Sequence, residues 1–105
     1  MTYDVRIEPD VHALRDELPG SVRQRIRRAI SDFAKEPRPA GSAALDVSGL
    51  EVPDGIEARR LRLDAWRIVY AIHDGERWVW VLGVRQRPPY DYGDLAALVG
   101  KLKEA

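Results

Sequence analysis

The chain has 105 residues, 45% hydrophobic and 32% charged, a length and composition that describe one globular domain and exclude a disordered chain. Seventeen basic residues balance seventeen acidic ones, so the net charge gives no indication of an anionic partner. The sequence contains no cysteine, which excludes disulfides and thiolate metal sites.

The N-terminus lacks the apolar segment of a signal peptide. No apolar run approaches the roughly 20 residues that a membrane-spanning helix needs. From these features we expect a soluble, cytoplasmic protein with no membrane partner.

The first predicted elements are one strand and two helices. Alternation from Tyr3 to Ile7 predicts a strand with one buried face. Asp10 is predicted to cap a first helix, which Pro19-Gly20 breaks. Ser21 has capping-box spacing at the start of a second helix. That helix ends at Glu36-Pro37, because the residue before proline leaves the helical region. The two helices are predicted to form an antiparallel hairpin.

Three strands follow a connection from Pro37 to Gly55 that is rich in Pro, Gly, Ser and Ala and reads as irregular. The alternation patterns place these strands at about Glu57–Leu63, Trp66–Ile72 and Arg77–Val84, with turns at Asp64-Ala65 and Asp74-Gly75. An Asp-Gly pair is a strong hairpin signal. The third strand is apolar on both faces, which is typical of a central strand.

The sheet ends at Pro88-Pro89, and a short C-terminal helix follows. Its apolar residues lie at helical spacing from Leu95 to Leu102, and Asp91 or Asp94 is predicted to cap it. The element order is then β-α-α-β-β-β-α over a single domain of residues 1–105. This order predicts an α+β fold with the helical hairpin packed on a mainly antiparallel four-stranded sheet.

A group of arginines is the most informative feature of the sequence. The segment from Arg59 to Arg87 contains seven arginines and three acidic residues, a net charge of +4. Arg60 and Arg62 share one face of their strand, and a two-residue turn would place Arg62 opposite Arg67. Like charges in that position destabilise a sheet. The pattern therefore indicates either a bound anion or acidic side chains that pair with these arginines.

Arg85 and Arg87 leave the last strand close to Tyr90 and Tyr92. A two-residue turn at Asp74-Gly75 would put Arg85 on the face opposite Arg67. A three-residue loop or a bulge would put both arginines on the same face. The sequence leaves these two arrangements open.

These features together resemble the RelE/ParE toxin superfamily over nearly the whole chain. The resemblance rests on Leu18-Pro19 before a basic helix, Glu36-Pro37-Arg38-Pro39, Arg60-Leu61-Arg62, Trp66-Arg67-Ile68-Val69-Tyr70, Val84-Arg85-Gln86-Arg87 and Tyr90. The arginine-leucine-arginine block, followed after three residues by Trp-Arg-Ile-Val-Tyr, is its most specific part.

The resemblance implies a toxin of a type II toxin–antitoxin pair. RelE-like members cut mRNA in the ribosomal A site by attack of a ribose 2′-hydroxyl on the adjacent phosphate. Carried over by position, it assigns catalytic roles to Arg60, Arg62, Arg67, Arg87 and Tyr90, and RNA-binding roles to Arg85, Tyr92 and Arg59. Arg67 and Arg87 are expected to stabilise transition-state charge, Arg60 and Arg62 to bind phosphate or handle protons, and Tyr90 or Tyr92 to orient the nucleophile or stack on a base.

Two other functions share this predicted fold. A ParE-like toxin would inhibit DNA gyrase without nuclease activity, and an inactive remnant would only bind its antitoxin. The expected partners are a cognate small antitoxin and, for the nuclease, the ribosome and mRNA. We predict no cofactor and no metal.

Overall fold

The computed structural model describes residues 2–104, apart from the side chain of Arg15. Its elements are β1 (Asp4–Ile7), α1 (Pro9–Arg15), α2 (Gly20–Asp32), β2 (Ser42–Ala44), β3 (Ile56–Leu63), β4 (Trp66–His73), β5 (Trp78–Gln86) and α3 (Leu95–Gly100), followed by a 3₁₀ turn at Lys101–Glu104. Within the described residues no helix has the length and apolar character needed to cross a membrane.

The strands form one sheet in the order β1-β5-β4-β3-β2. β1 runs parallel to β5, and the other neighbours are antiparallel. The α+β fold with a mainly antiparallel sheet is thus confirmed, as is the inner position of β5.

The sheet has five strands rather than the predicted four. Residues Ser42–Ala44 lie in the connection predicted to be irregular, yet they pair with β3 through Ser42 and Leu61, and Ala43 and Arg60. Gly41 has φ +88° and accepts a hydrogen bond from the Arg62 N–H at 3.1 Å. Three small residues carry no periodic signal, so only the open edge of β3 makes this segment a strand.

Two apolar clusters cover the two faces of the sheet. On the helix face, α1 and α2 contribute Val11, Ile26 and Ile30, which join Leu61, Ile68, Tyr70, Ile72, Val79 and Val81. On the opposite face, which we call the C-terminal face, Leu95, Leu98, Val99 and Leu102 pack on Ala58, Val69, Ala71, Trp78 and Leu82. The alternation of side chains along each strand assigns every residue to one of these faces.

Helix capping differs from the prediction at α1 and α2, whereas Asp94, one of the two predicted alternatives, is the N-cap residue of α3. α1 starts at Pro9 with Glu8 at the N-cap, so Asp10 lies in the first turn. α2 starts at Gly20 with Pro19 at the N-cap, which puts Ser21 inside the helix. None of the three helices has a side-chain cap hydrogen bond. Proline explains the first two starts, because its fixed φ already suits a helix start.

The connection between β4 and β5 is longer than both connections that the sequence left open, the two-residue turn at Asp74-Gly75 and the three-residue loop. His73 pairs with Trp78, so four residues, 74–77, form the loop. The Glu76 N–H donates to Nδ1 of His73 at 3.0 Å, and Arg77 adopts φ +59°. The side chain of His73 thus replaces part of the backbone pairing that a tighter Asp-Gly turn would provide.

A bulge in β5 shifts the register between β4 and β5. Val69 pairs with Gly83, whereas Tyr70 pairs with Val81, which leaves Leu82 as an extra residue. An extra residue in one strand reverses the alternation beyond it relative to the neighbouring strand. The bulge therefore decides which face receives the side chains at the end of β5.

The fully buried Tyr70 joins the sheet to the segment that follows α2. Its ring stacks on Phe33 with a centroid separation of 4.1 Å, and its hydroxyl donates to the Pro37 carbonyl at 2.7 Å. Burial is the main cause that raises the pKa of this phenol above its usual value of 10.0, while Ser42 and Arg59 act in the other direction.

We expect Tyr70→Phe to lower the free energy of unfolding by about 1–3 kcal/mol, because the Pro37 carbonyl loses its buried donor. Tyr92→Phe is the matched control, since the Tyr92 hydroxyl is buried and has no partner among the described residues. That variant should be as stable as wild type or more stable in urea unfolding, because it removes a buried hydroxyl without a partner among the described residues. Equal losses in the two variants would contradict the assigned hydrogen bond.

Wild type and Tyr70→Phe also give a pH test of the role of Tyr70. A raised pKa in the folded state means that the protonated phenol stabilises the fold fully below the unfolded-state pKa near 10, and that this contribution is lost as pH rises through the folded-state pKa. The stability difference between wild type and Tyr70→Phe should therefore narrow above about pH 10. A stability difference between the two proteins that stays constant up to pH 12 would argue against the raised pKa of Tyr70.

Candidate functional site

Three arginines form a row across β3, β4 and β5, the three inner strands of the sheet. Arg62 on β3 pairs with Arg67 on β4, and Arg67 pairs with Arg85 on β5. The bulge in β5 thus selects the same-face arrangement that the sequence left open. Arg60 lies two residues before Arg62 on β3 and shares its face. Arg87 directly follows β5, and its guanidinium lies 5.5 Å from the ring centroid of Tyr92, which packs on the same face. We call these five residues, Arg60, Arg62, Arg67, Arg85 and Arg87, the arginine face.

Arg67 is the buried member of the arginine face, at 8% exposure. Its Nη1 donates to the carbonyls of Asp64 and Trp66 at 2.8 and 2.9 Å. Among residues 2–104, no carboxylate lies within ion-pair distance of its guanidinium. The two carbonyls accept from Nη1 without cancelling the charge of the guanidinium, so Arg67 presents a full positive charge in a partly desolvated position.

Arg85 has a carboxylate partner, Asp94. Its Nε and Nη2 each lie 3.1 Å from one oxygen of Asp94, and its guanidinium sits 5.9 Å from the ring centroid of Tyr90. Gly83 leaves the space for this guanidinium, because a Cβ at that position would lie 3.1 Å from Nη1 of Arg85. The bulge and the glycine therefore position Arg85 together.

Two tyrosines border the arginine face. The Tyr90 hydroxyl donates to the other oxygen of Asp94 at 2.5 Å, and the Tyr90 and Tyr92 rings are 4.7 Å apart. Arg87 lies 5.5 Å from the centroid of Tyr92. Burial, and secondly the bond to Asp94, raise the pKa of Tyr90 well above its usual range. Its phenol is protonated at neutral pH and acts there as a hydrogen-bond donor, not as a base.

Arg60 and Arg62 form the outer edge of the arginine face. Arg60 donates from Nη1 to the Gly41 carbonyl at 2.8 Å. Arg62 is exposed, and its side chain makes no hydrogen bond within the described part of the chain. Asp64 in the adjacent turn forms an ion pair with Arg25 of α2, so its charge is directed away from Arg62 and Arg67.

Arg59 is not part of this group. It pairs in register with Tyr70 and so points to the helix face, where it donates to Ser42 at 2.9 Å and contacts Glu57 at 3.4 Å. Its side chain is only 13% exposed. Strand alternation separates it from Arg60, because neighbouring residues point to opposite faces.

The sequence interpretation missed two residues of this site. The sequence predicts Asp94 only as a helix cap and predicts no role for Gly83. The only local signal for Asp94 is its position four residues after Tyr90 and seven after Arg87, where the basic segment ends. Gly83 gives no signal, because its role depends on the β4–β5 register.

The arrangement supplies positive charge and hydrogen-bond donors to an anion. Guanidinium groups match phosphate oxygens in geometry and do not deprotonate. Two tyrosine rings beside them provide a surface on which a base could stack. Within residues 2–104, no three His, Asp or Glu side chains are grouped as a metal site requires.

Comparison with solved structures identifies the fold. The chain resembles RelE in the archaeal RelE–RelB complex from Pyrococcus horikoshii, with 22% identity, a TM-score of 0.72, and coverage of 86% of this chain and 100% of that one. It resembles a mutant of the Escherichia coli toxin RelE in the free state, with 19% identity, a TM-score of 0.63 and coverage of 96% and 97%.

A third similar structure is the RelBE2 toxin–antitoxin complex from Mycobacterium tuberculosis, with 21% identity, a TM-score of 0.63 and coverage of 83% and 100%. Neither a protein-family model nor a curated protein matches the sequence. The chain therefore has the RelE fold, and the fold part of the resemblance seen in the sequence is confirmed.

We expect Arg67→Met to leave the free energy of unfolding within about 1 kcal/mol of wild type, because relief of repulsion from Arg62 and Arg85 offsets the lost hydrogen bonds. Inorganic phosphate at constant ionic strength should raise the wild-type Tm by binding the folded state. The rise should be smaller in Arg67→Met.

Arg27→Met is the control for this experiment. It removes an exposed arginine on α2, the helix that packs on the opposite face of the sheet from the arginine face. Its phosphate response should match wild type. An Arg67→Met protein destabilised by about 2–5 kcal/mol, as in the truncation of a core residue, with an unchanged phosphate response would show that Arg67 is structural.

Proposed function

We propose that this protein is the toxin of a type II toxin–antitoxin pair and that it cleaves mRNA on the ribosome. The observation that carries the proposal is the row Arg62, Arg67 and Arg85, placed in direct register on one face with Arg67 buried and without a carboxylate partner in the described chain. A protein keeps like charges in such positions when an anion binds there. The RelE fold makes an RNA phosphate the best-supported anion.

In the proposed reaction the 2′-oxygen of a ribose attacks the adjacent phosphorus, and the bond from that phosphorus to the 5′-oxygen of the next nucleotide breaks. The 2′-hydroxyl loses its proton and the leaving oxygen gains one, which leaves a 2′,3′-cyclic phosphate and a 5′-hydroxyl. Arg67 and Arg87 stabilise the charge that builds up on the phosphate oxygens. Arg60, Arg62 and Arg85 bind the flanking phosphates.

Tyr90 and Tyr92 orient the RNA. Because the pKa of Tyr90 is raised, its hydroxyl donates hydrogen bonds at neutral pH, and Tyr92 is the ring available for base stacking. Arginine and protonated tyrosine are poor proton acceptors. The proposed dependence on the ribosome is consistent with a site that has no strong proton acceptor. An mRNA that the ribosome holds in position reacts faster because its 2′-hydroxyl is already oriented toward the phosphate.

The proposed partner in the cell is a small antitoxin encoded beside this gene. Similar chains have been solved as complexes of RelE with the antitoxin RelB. An antitoxin segment that orders on binding would block the toxin by covering the arginine face or the helices. Co-expression of the adjacent reading frame should abolish growth arrest.

Induced expression of the wild-type protein in bacterial cells should arrest growth and produce mRNA 5′ ends at fixed positions within codons. Arg67→Ala and Arg87→Ala should each reduce cleavage by about 10²- to 10³-fold, the usual effect of removing one group that stabilises transition-state charge. Mapping of mRNA 5′ ends measures the cuts, and Arg27→Ala should cut like wild type.

The other outcomes identify other functions. Arrest without mRNA cuts would indicate a gyrase-type toxin, which gyrase supercoiling assays would then test. No arrest at all, with retained antitoxin binding, would indicate an inactive remnant. Cutting that survives in both Arg67→Ala and Arg87→Ala would overturn the assignment of the site.

A further inference from the structure

Asp94 holds two groups of the proposed site at once. One carboxylate oxygen accepts the Tyr90 hydroxyl at 2.5 Å, and the other accepts Nε and Nη2 of Arg85 at 3.1 Å each. These donors, a guanidinium fork and a hydroxyl, are the donors that a phosphate group accepts. The carboxylate thus occupies the position of an oxyanion ligand.

Helix capping does not explain this carboxylate. Asp94 stands at the N-cap position of α3, where aspartate normally accepts a backbone N–H of the first turn. Here it makes no side-chain cap bond, and its φ and ψ are −96° and 10°. Both of its oxygens turn to Tyr90 and Arg85 instead, so the side chain serves the arginine face rather than the helix.

The contact is accessible and weakly held. The side chains of Arg85 and Asp94 are 35% and 37% exposed, and half-exposed ion pairs contribute little to stability. α3 stays anchored without it, because Leu95, Leu98 and Val99 are buried against the C-terminal face. Replacing the carboxylate by another anion therefore needs only a movement of the Asp94 side chain.

We propose that Asp94 is the internal counter-ion of the arginine face, a positioning residue that holds Arg85 and Tyr90 until an RNA phosphate displaces it. The phosphate then takes the Arg85 fork and the Tyr90 hydroxyl. That the displacing anion is RNA rests on the proposed function. The displacement of Asp94 from Arg85 and Tyr90 is expected with any phosphate group.

The test compares Asp94→Asn with Asp91→Asn in the full chain. Asp91 is an exposed carboxylate in the same connection, and its oxygen accepts the Gly93 N–H at 2.9 Å, which asparagine can also accept. The two variants remove equal charge from nearly the same place. Only Asp94→Asn removes the negative charge that competes with phosphate for Arg85 and Tyr90.

One readout is affinity for a pentanucleotide whose riboses are all 2′-O-methylated, so that it cannot be cleaved. Asp94→Asn should bind it about three- to tenfold more tightly than wild type, because the phosphate no longer has to break a partly exposed ion pair and is no longer repelled by a carboxylate. Asp91→Asn should change little, because the exposed Asp91 carboxylate hydrogen bonds to the Gly93 N–H and its charge is screened by salt. Adding Arg85→Ala to Asp94→Asn should remove the gain.

The second readout is the ¹⁵Nε resonance of Arg85 during titration with inorganic phosphate. It should move at lower phosphate concentration in Asp94→Asn than in wild type, and Tyr90 should titrate at a lower pH in that variant because one cause of its raised pKa is gone. Asp94→Ser gives the same test should Asp94→Asn fail to fold, since serine is a good N-cap residue.

Equal oligonucleotide affinity in Asp94→Asn and Asp91→Asn, or an Arg85 resonance that ignores phosphate in both proteins, would overturn the counter-ion role. If Asp94→Asn binds the oligonucleotide more tightly but the wild-type protein never cuts mRNA, the counter-ion role stands and the proposed nuclease activity is rejected. The two proposals therefore fail by different measurements.

Discussion

A single extra residue in β5 controls the candidate site. Leu82 has no partner of its own in β4, because Val69 pairs with Gly83 and Tyr70 with Val81. Without this bulge, Arg85 would point to the helix face, among the apolar side chains that α1 and α2 cover. With it, Arg85 comes level with Arg67, and Gly83 provides room for its guanidinium. Bulges commonly redirect side chains in this way beside functional sites.

The resulting row of like charges is a local cost that the rest of the fold offsets. Arg62, Arg67 and Arg85 repel one another across neighbouring strands, and Arg67 is largely withdrawn from water. Two apolar clusters, one on each face of the sheet, supply the burial that holds the strands in register. Conflicts of this kind between local charge and global stability are typical of functional sites.

Acidic groups near the arginine face are distributed so that much of its charge is left free. Asp64 is paired with Arg25, away from the face, and Asp74 is paired with Arg38 at the far end of β4. Among the described residues, Asp94 is the carboxylate that contacts the face directly, through Arg85. Within that part of the chain Arg67 and Arg87 therefore carry positive charge without a carboxylate partner, whereas Arg85 has one.

The sequence by itself determined the order of every element except β2, most strand limits, the Arg62–Arg67 pairing and the resemblance to the RelE fold. These features depend on alternation, on proline positions and on a two-residue turn at Asp64-Ala65, where Asp64 adopts φ 51°. All of them are local, so a linear pattern records them.

Only the tertiary structure decided the fifth strand, the face of Arg85, the separation of Arg59 from the other arginines in space, and the contacts of Asp94. The β4–β5 register depends on a four-residue loop and a bulge, and Ser42–Ala44 becomes a strand only against the edge of β3. Asp94 meets Arg85 and Tyr90 because α3 packs back on the sheet. Such features arise from contacts between segments distant in the chain or from backbone geometry, neither of which hydrophobic periodicity encodes.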